Sequence, residues 1–434
     1  MAVGGSRLKT LELDSLDFRD FVRPGDQLMW GQAAAEPAAL IDALLRQRAT
    51  IGAFRVFVGA SWCTSLTSDI ADLVQIRSYC GAGLNRKLAR AGVLDIVPSR
   101  YSDLPRLIRR GVLKPDVLLL QLSPPDAHGR YSLSMGHDYL PAALDSARIV
   151  IAEINHKAPW TYGERYLEES EIDIAIETER DLPDAQASRP SAVELAVAQR
   201  VSGLIEDGAT IQVGIGTLPA AILAQLRGHR DLGLHTGALI DEAADLVQAG
   251  VITNARKSLD AGISIAGVVM GGHRAQALGT MNPTLQFRSV DYTHAADVLA
   301  RLDHLVAINS AIEIDLSGQI NAEVAADSYV GAIGGAQDFL EGANRSRGGL
   351  PIVALPSSVD EGGKIKTRIV SRLSGPVSTP RSSAAIVVTE HGAVDLRGLS
   401  IRERIAKMIS VAAPEFREQL ARQAFDTKAV EGFA

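Results

Sequence analysis

The run VLLLQL at 117–122 restricts the fold more than any other stretch of the chain. A strand with one wet face alternates apolar and polar residues, whereas five of these six are aliphatic, so burial on both faces is expected. ARIVIAEIN at 147–155 has the same character. Strands of this kind belong to parallel sheets, whose neighbours are joined by crossover helices. The chain supplies candidates for both partners. DQLMWG (26–31) and FRVFVGA (54–60) are strand-like, and 38–48 between them has helical spacing. Later, SAVELAVAQR (191–200) reads as a helix and ATIQVGIG (209–216) as a strand entering a glycine turn. HLVAINSAIEIDLSG, PIVALPS and AAIVVTE continue the strands, and 400–425 closes the chain as helix. The expected class is α/β.

With 434 residues the chain exceeds one ordinary core. The acidic, proline-punctuated stretch 164–190 has little to pack and reads as a linker or surface excursion. The expected division is an N-terminal α/β domain over 1–180 and a C-terminal one over 190–434. Pattern alone leaves open whether the halves copy one fold. A net charge of −7 gives no reason to expect nucleic acid or an anionic membrane as partner. No run approaches the ~18 apolar residues that span a bilayer, and the N-terminus has no apolar signal core. Two cysteines, Cys63 and Cys80, suit core filling in a reducing compartment, so a cytoplasmic protein is expected. The nine histidines show no HxH or HExxH spacing, and no metal site is expected.

Two glycine-rich signals stand out in the second half. VGIGTLP (213–219) places Gly214 and Gly216 between a strand and a helix, where backbone N–H groups can meet an anion or simply make a tight turn. GAIGG (331–335) ends in Gly334 and Gly335, whose amides can approach an oxyanion or a thioester carbonyl, or serve a turn that needs positive φ. Glu390 ends the apolar strand IVVTE, at the edge where a parallel sheet presents ligands. Lys364 and Lys366 lie in a basic loop suited to phosphate, though an ordinary surface loop has the same composition. His128 sits in a turn and reads as structural. Met29, Trp30, Trp62 and Met270 line either an acyl pocket or the core.

Many separated motifs, in order, resemble the acetyl-CoA hydrolase/transferase family, which includes 4-hydroxybutyrate CoA-transferase. They are RYSDLP (100–105), QLSPPDAHG (121–129), VGIGTLP, VDYTH (290–294), INSAIEIDLSGQINAE (308–323), GAIGGAQDF (331–339), VVTEHGAVDLRGLSIRER (387–404) and APEFRE (413–418). The resemblance implies two similar CoA-transferase-type α/β domains with the site between them, and a homodimer or higher homo-oligomer. It implies acyl-CoA as the coenzyme A-bearing substrate, with a small acceptor as the second. It also implies a glutamate that attacks the thioester and carries CoA covalently. By the same resemblance Gly334 and Gly335 lie near the thioester oxygen, Glu390 lies by CoA, Gly214 and Gly216 open the second domain, and Thr293 falls near a polar site residue.

The segment that resembles the family's nucleophile segment reads His235-Thr236-Gly237-Ala238, with Asp241 behind it. The glutamate's place falls on Gly237, which has no side chain. Three readings follow. Another carboxylate, Glu36 first, replaces the nucleophile in a CoA-transferase. Alternatively the enzyme hydrolyses acyl-CoA or passes the acyl group on without a covalent carboxylate, with His235, His391 or Glu390 as base. In the third, the chain is a non-catalytic CoA-binding subunit.

Overall fold

The computed structural model describes residues 8–185, 189–383 and 385–431. Eight strands form the first sheet: β1 (Lys9–Leu11), β2 (Gln27–Trp30), β3 (Phe54–Val58), β4 (Val74–Ser78), β5 (Leu94–Ile96), β6 (Val117–Leu122), β7 (Ile149–Asn155) and β8 (Ile174–Thr178). Their spatial order is β1-β8-β7-β6-β2-β3-β4-β5, and every pair is parallel. The second sheet contains β9 (Thr210–Val213), β10 (Gly233–Leu239), β11 (Ser264–Val269), β12 (Leu285–Phe287), β13 (Leu305–Ser310), β14 (Leu350–Ala354), β15 (Ile386–Thr389) and β16 (Gly392–Asp395). Its order is β12-β11-β10-β9-β13-β14-β15-β16, parallel except for β16, which folds back antiparallel on β15.

The two sheets are wound alike. Each lays its strands outward on one side of a starting strand (β2, then β3 to β5; β9, then β10 to β12). The chain then returns to fill the other side (β6 to β8; β13 to β15). Each sheet therefore has a switch point, β2/β6 in one and β9/β13 in the other, where parallel α/β sheets open a crevice at the strands' carboxyl ends.

The apolar run of β6 packs on two sides, as its composition requires. Val117 and Leu119 join Leu28, Trp30 and Val56, while Leu118, Leu120 and Leu122 join Met29 and Phe57. Successive side chains of a strand point to opposite faces, so one run serves both cores. Each such side chain contributes about 1.5–3 kcal/mol on burial. Met29 and Trp30 are therefore core residues with no exposed surface and line no acyl pocket.

The stretch 164–190 is more structured than its composition suggests. Residues Ile174–Thr178 form β8, between β7 and β1, with Ile174, Ala175 and Ile176 buried. Leu167 is buried as well. Between Thr178 and helix α1 (Ala192–Ser202), which Ser191 and Glu194 cap reciprocally, the described residues form no strand or helix. Residues 186–188 of the expected linker, with 1–7 and 432–434 of the expected domains, lie outside the described residues. No helix among the described residues is long and apolar enough to cross a membrane.

The halves meet along a hydrogen-bonded seam. Tyr101 N–H donates to Gly334 O (2.9 Å) and Gly81 N–H to Gly331 O (2.8 Å). Ser102 donates through Oγ and N to the Asp338 carboxylate at 2.7 and 3.1 Å. Segment 135–138 runs along β11, with His137 N–H donating to Gly267 O and Val269 N–H to Met135 O.

Candidate active site

His235 and Gly237 are two residues apart on β10, so they share a face. His235 is fully buried, whereas Gly237 and Ala238 are partly exposed, so this part of the strand opens toward solvent. Gly267 lies abreast of Gly237 on β11, and a Cβ there would come within 2.8 Å of the Gly237 carbonyl oxygen.

A ring stands beside Gly237. A Cβ built on Gly237 would lie 2.8 Å from Cε1 and 3.0 Å from Nε2 of His294. From the opposite side, a Cβ on Gly335 would lie 2.4 Å from the same Nε2. His294 thus occupies space that exists because two neighbouring residues have no side chain. Tyr101 and Phe339 hold its ring, with centroids at 4.9 and 4.7 Å.

The ring is anchored through Nδ1, which lies 2.8 Å from Thr293 Oγ1. Thr293 has one hydroxyl proton. Donated to Ser289 O at 3.1 Å, it leaves Oγ1 to accept from Nδ1–H. This assignment satisfies both contacts and puts the lone pair on Nε2, which has no hydrogen-bond partner among the described residues. Burial, with neighbouring His235 adding to it, pushes the His294 pKa down to about 3, so the imidazole is neutral. His235 is likewise pushed to about 3, by burial first and then by the charge of Lys257. Its Nε2 lies 3.1 Å from Thr293 O, which ties it to the segment that carries His294.

The glycine loop at 331–335 closes the site. Its carbonyls are directed into the first half, at Gly81 and Tyr101. Gly334 has φ +54°, and Gly335 caps helix α2 (Ala336–Arg345). A parallel bridge between Arg100 and Gly334 ties the loop's backbone to the first half, and the Gly335 amide shows no acceptor among the described residues. Gly335 sits at a helix start beside the His294 ring, where an unpaired N–H group favours negative charge. A developing oxyanion is the charge such donors stabilise.

The remaining candidates distribute along the carboxyl edge of the second sheet. Gly214 and Gly216 follow β9; Gly216 has φ +113° at the start of an eight-residue helix, and a Cβ on Gly214 would meet nothing closer than 3.6 Å. Thr293 is buried, with its hydroxyl on His294 Nδ1. Glu390 follows β15, four strand spacings from β10, or about 19 Å. Its carboxylate accepts from Ser357 N and Oγ at 2.9 and 2.6 Å, and His391 lies at 3.5 Å. Lys364 is exposed on a hairpin (Ser358–Glu361 with Lys364–Thr367) rather than in an open loop, and neighbouring Lys366 pairs with Glu361.

Glu36 is not a surface carboxylate. It is 2 % exposed, and its oxygens accept from Ser61 Oγ at 2.5 Å and Trp62 N at 2.7 Å. Burial pushes its carboxyl up to about 7 against those hydrogen bonds. The structure therefore gathers His235, Gly237, Thr293 and Gly335 around His294. Glu36 follows Ala33–Ala35, which pack against β11 beside the strand of Gly237, whereas Lys364 and Glu390 belong to later elements of the sheet edge. His294 was missed by sequence reasoning. The available signal was the coincidence of glycine at 237 and 335, which is legible only once both are known to face one ring.

Comparison with known proteins fits this arrangement. Residues 15–183 match the acetyl-CoA hydrolase/transferase N-terminal domain, and 274–424 match the C-terminal domain of the same name. The chain is 33% identical over 396 residues to 4-hydroxybutyrate coenzyme A transferase of Clostridium kluyveri, covering 91% of this chain and 92% of that protein. It is 32% identical to butyryl-CoA:acetate CoA-transferase of Anaerostipes caccae, with 93% of each covered. Among solved structures, RipA from Yersinia pestis superposes with a TM-score of 0.90 at 33% identity, covering 96% of this chain and 97% of that one. The chain belongs to the acetyl-CoA hydrolase/transferase family.

Proposed function

We propose that this protein transfers CoA between an acyl-CoA and a small carboxylate, and that it does so without a covalent glutamyl intermediate. One observation carries the second clause: the ring of His294, not a carboxylate, stands beside Gly237. Full-length likeness to proteins named as CoA transferases supports the first.

The chemistry closes without an enzyme carboxylate. The acceptor carboxylate attacks the thioester carbonyl carbon, and the Gly335 amide at the helix start holds the oxyanion. The C–S bond breaks to give a mixed anhydride and CoA thiolate. The thiolate attacks the carbonyl that came from the acceptor, and the anhydride C–O bond breaks. A new acyl-CoA and the donor's carboxylate result, with no proton transferred. The enzyme's contribution is to hold three groups in line and keep water out. We assign CoA to the edge that runs from Gly237 past Gly214 and Gly216 toward Lys364 and Glu390. A reducing cytoplasm suits the buried free thiols of Cys63 and Cys80, and a homodimer or larger homo-oligomer is the assembly we propose.

Initial rates with acetyl-CoA or butyryl-CoA against carboxylate acceptors test the reading. Intersecting double-reciprocal lines are expected, with no carboxylate reduced when borohydride is added during turnover. Parallel lines together with a reduced carboxylate, which peptide mapping would place on Glu36 or elsewhere, would overturn the non-covalent route and establish a relocated nucleophile.

A further inference from the structure

We propose that Asp138 is a positioning residue of this site: its carboxylate, relayed by Gln32, sets the Tyr101 ring against His294, while its main chain seats the helical turn that leads to His294. The proposal rests on the reading that CoA is transferred at this site.

The relay is made of groups whose roles are fixed. Gln32 follows β2 and is 2 % exposed. Its Oε1 accepts from Ala60 N at 3.0 Å and from Tyr79 Oη at 2.9 Å. A backbone N–H can only donate, so the carbonyl end of this amide faces Ala60 and the NH2 end faces away. Nε2 then has two protons to give, one to Tyr101 Oη at 2.6 Å and one to Asp138 Oδ2 at 2.9 Å. The Tyr101 hydroxyl turns its own proton to the same carboxylate. Asp138 Oδ1 accepts from Tyr139 N at 2.5 Å. At the far end of the relay, the Tyr101 ring lies 4.9 Å from that of His294, and its N–H holds Gly334 O.

The main chain of Asp138 reaches the same histidine by another route. Asp138 O accepts at 2.9 Å from Val290 N, the first residue of the turn Val290–Thr293 that ends at His294. Asp138 N donates to Gly267 O at 3.3 Å, and Gly267 lies abreast of Gly237. The φ of Asp138 is +28°, a strained value for a residue with a Cβ, which persists only where the surroundings over-determine it. One buried aspartate thus joins Tyr101, the turn before His294 and the strand beside Gly237. Its carboxylate suits the post because Gln32, Tyr101 and the Tyr139 and Leu140 amides all donate to it.

That arrangement carries a pH dependence. Burial pushes the Asp138 carboxyl up to about 6 against those four hydrogen bonds. Tyr79, Cys80, Tyr101 and Tyr139 around it are pushed up by burial, and His137 and His294 are pushed down to about 4 and about 3, so all six stay neutral from pH 5 to 8. As pH falls through about 6, Asp138 gains a hydrogen that faces only donors, and transfer should slow. Glu36 at about 7 and Asp338 at about 6 titrate in the same range, so a variant has to assign the acid limb.

Transfer from butyryl-CoA to acetate is measured from pH 5 to 8, at a temperature where each protein is folded, and crystal structures of wild type and variant are compared. Asp138→Asn keeps the shape but sets an NH2 group against that of Gln32. Its kcat is expected to fall about 10²-fold, the usual cost of displacing a site by ~1 Å. KM should change little, the acid limb should vanish, and the Tyr101 and His294 rings should be displaced. The double variant Gln32→Glu/Asp138→Asn moves the carboxylate one step along the relay, where Ala60 N, Tyr79, Tyr101 and the introduced amide can all donate to it, and should recover most of the rate. A merely structural aspartate would lower Tm and leave kcat and the acid limb as in wild type, which overturns the proposal. Failure of the double variant to recover the rate overturns the relay. Should Asp138→Asn fail to fold, Tyr101→Phe decides: it keeps the ring and removes the hydroxyl, and an unchanged kcat contradicts the proposal whereas a lowered kcat at constant KM supports it. Wild-type protein that transfers nothing removes the proposed function, and the crystal structures then judge the positioning alone: displaced rings support it, and rings in place overturn it.

Discussion

Gly237→Glu is expected to inactivate the protein rather than supply it with a nucleophile. The new Cβ meets His294 Cε1 at 2.8 Å and Nε2 at 3.0 Å. The ring has nowhere to retreat: Gly335 approaches its Nε2 from the other side, and Tyr101 and Phe339 pack against it. Overpacking of this kind costs about 1–3 kcal/mol, which a thermal melt reads as a Tm lowered by several degrees. Displacing the ring and glycine loop by even ~1 Å is worth about 10²-fold in rate. Transfer from acetyl-CoA should therefore fall at least that far. The companion variant Gly237→Glu/His294→Gly removes the obstruction. Its Tm should recover most of the loss, giving a non-additive cycle as expected for residues in contact. Borohydride added during turnover should then reduce the introduced carboxylate in the double variant. A single Gly237→Glu variant with wild-type stability would show that the ring yields freely and that positions 237 and 294 are not coupled.

That coupling marks the limit of what the sequence discloses. The parallel α/β class was legible in VLLLQL and ARIVIAEIN, because a strand buried on both faces must be apolar throughout. The common winding of the two sheets was not, since strand order depends on where each crossover returns. β8 was hidden for a local reason. Ile174, Ala175 and Ile176 make a short apolar core inside an acidic stretch, and charge averaged over the whole stretch outweighed three buried residues. At the site, the glycines were found because missing side chains leave a mark in a motif. His294 was passed over beside Thr293, because its importance lies in two voids far away in sequence. Glu36 shows the same limit for burial: a turn of small residues gives no sign of it, yet Ser61 and Trp62 satisfy the carboxylate in the interior.

Arg180, within the stretch first read as a linker, is expected to give the largest loss of stability. Its Nε pairs with Glu153, whose side chain has no exposed surface, and its Nη2 donates to Glu36 O and Gln121 Oε1, each at 2.7 Å. Glu153 also accepts from Ala39 N at 3.0 Å and Thr178 Oγ1 at 2.9 Å, so one carboxylate ties together β7, β8 and the helix that follows Glu36. Arg180→Met leaves that carboxylate buried and without its cation, a change worth about 3–5 kcal/mol because the desolvated charge loses its partner. Urea unfolding at neutral pH should show the midpoint lowered accordingly. Adding Glu153→Met should restore part of the loss, since the stranded charge goes with it. The deficit should also depend on pH through Glu36, whose carboxyl burial raises to about 7 while the Arg180 charge pulls the other way. Below that value Glu36 is protonated in the folded state and indifferent to Arg180. Above it, ionisation without Arg180 costs more, so the variant's deficit should be larger at pH 8 than at pH 5. An equal deficit at both values would show that the arginine acts on Glu153 alone.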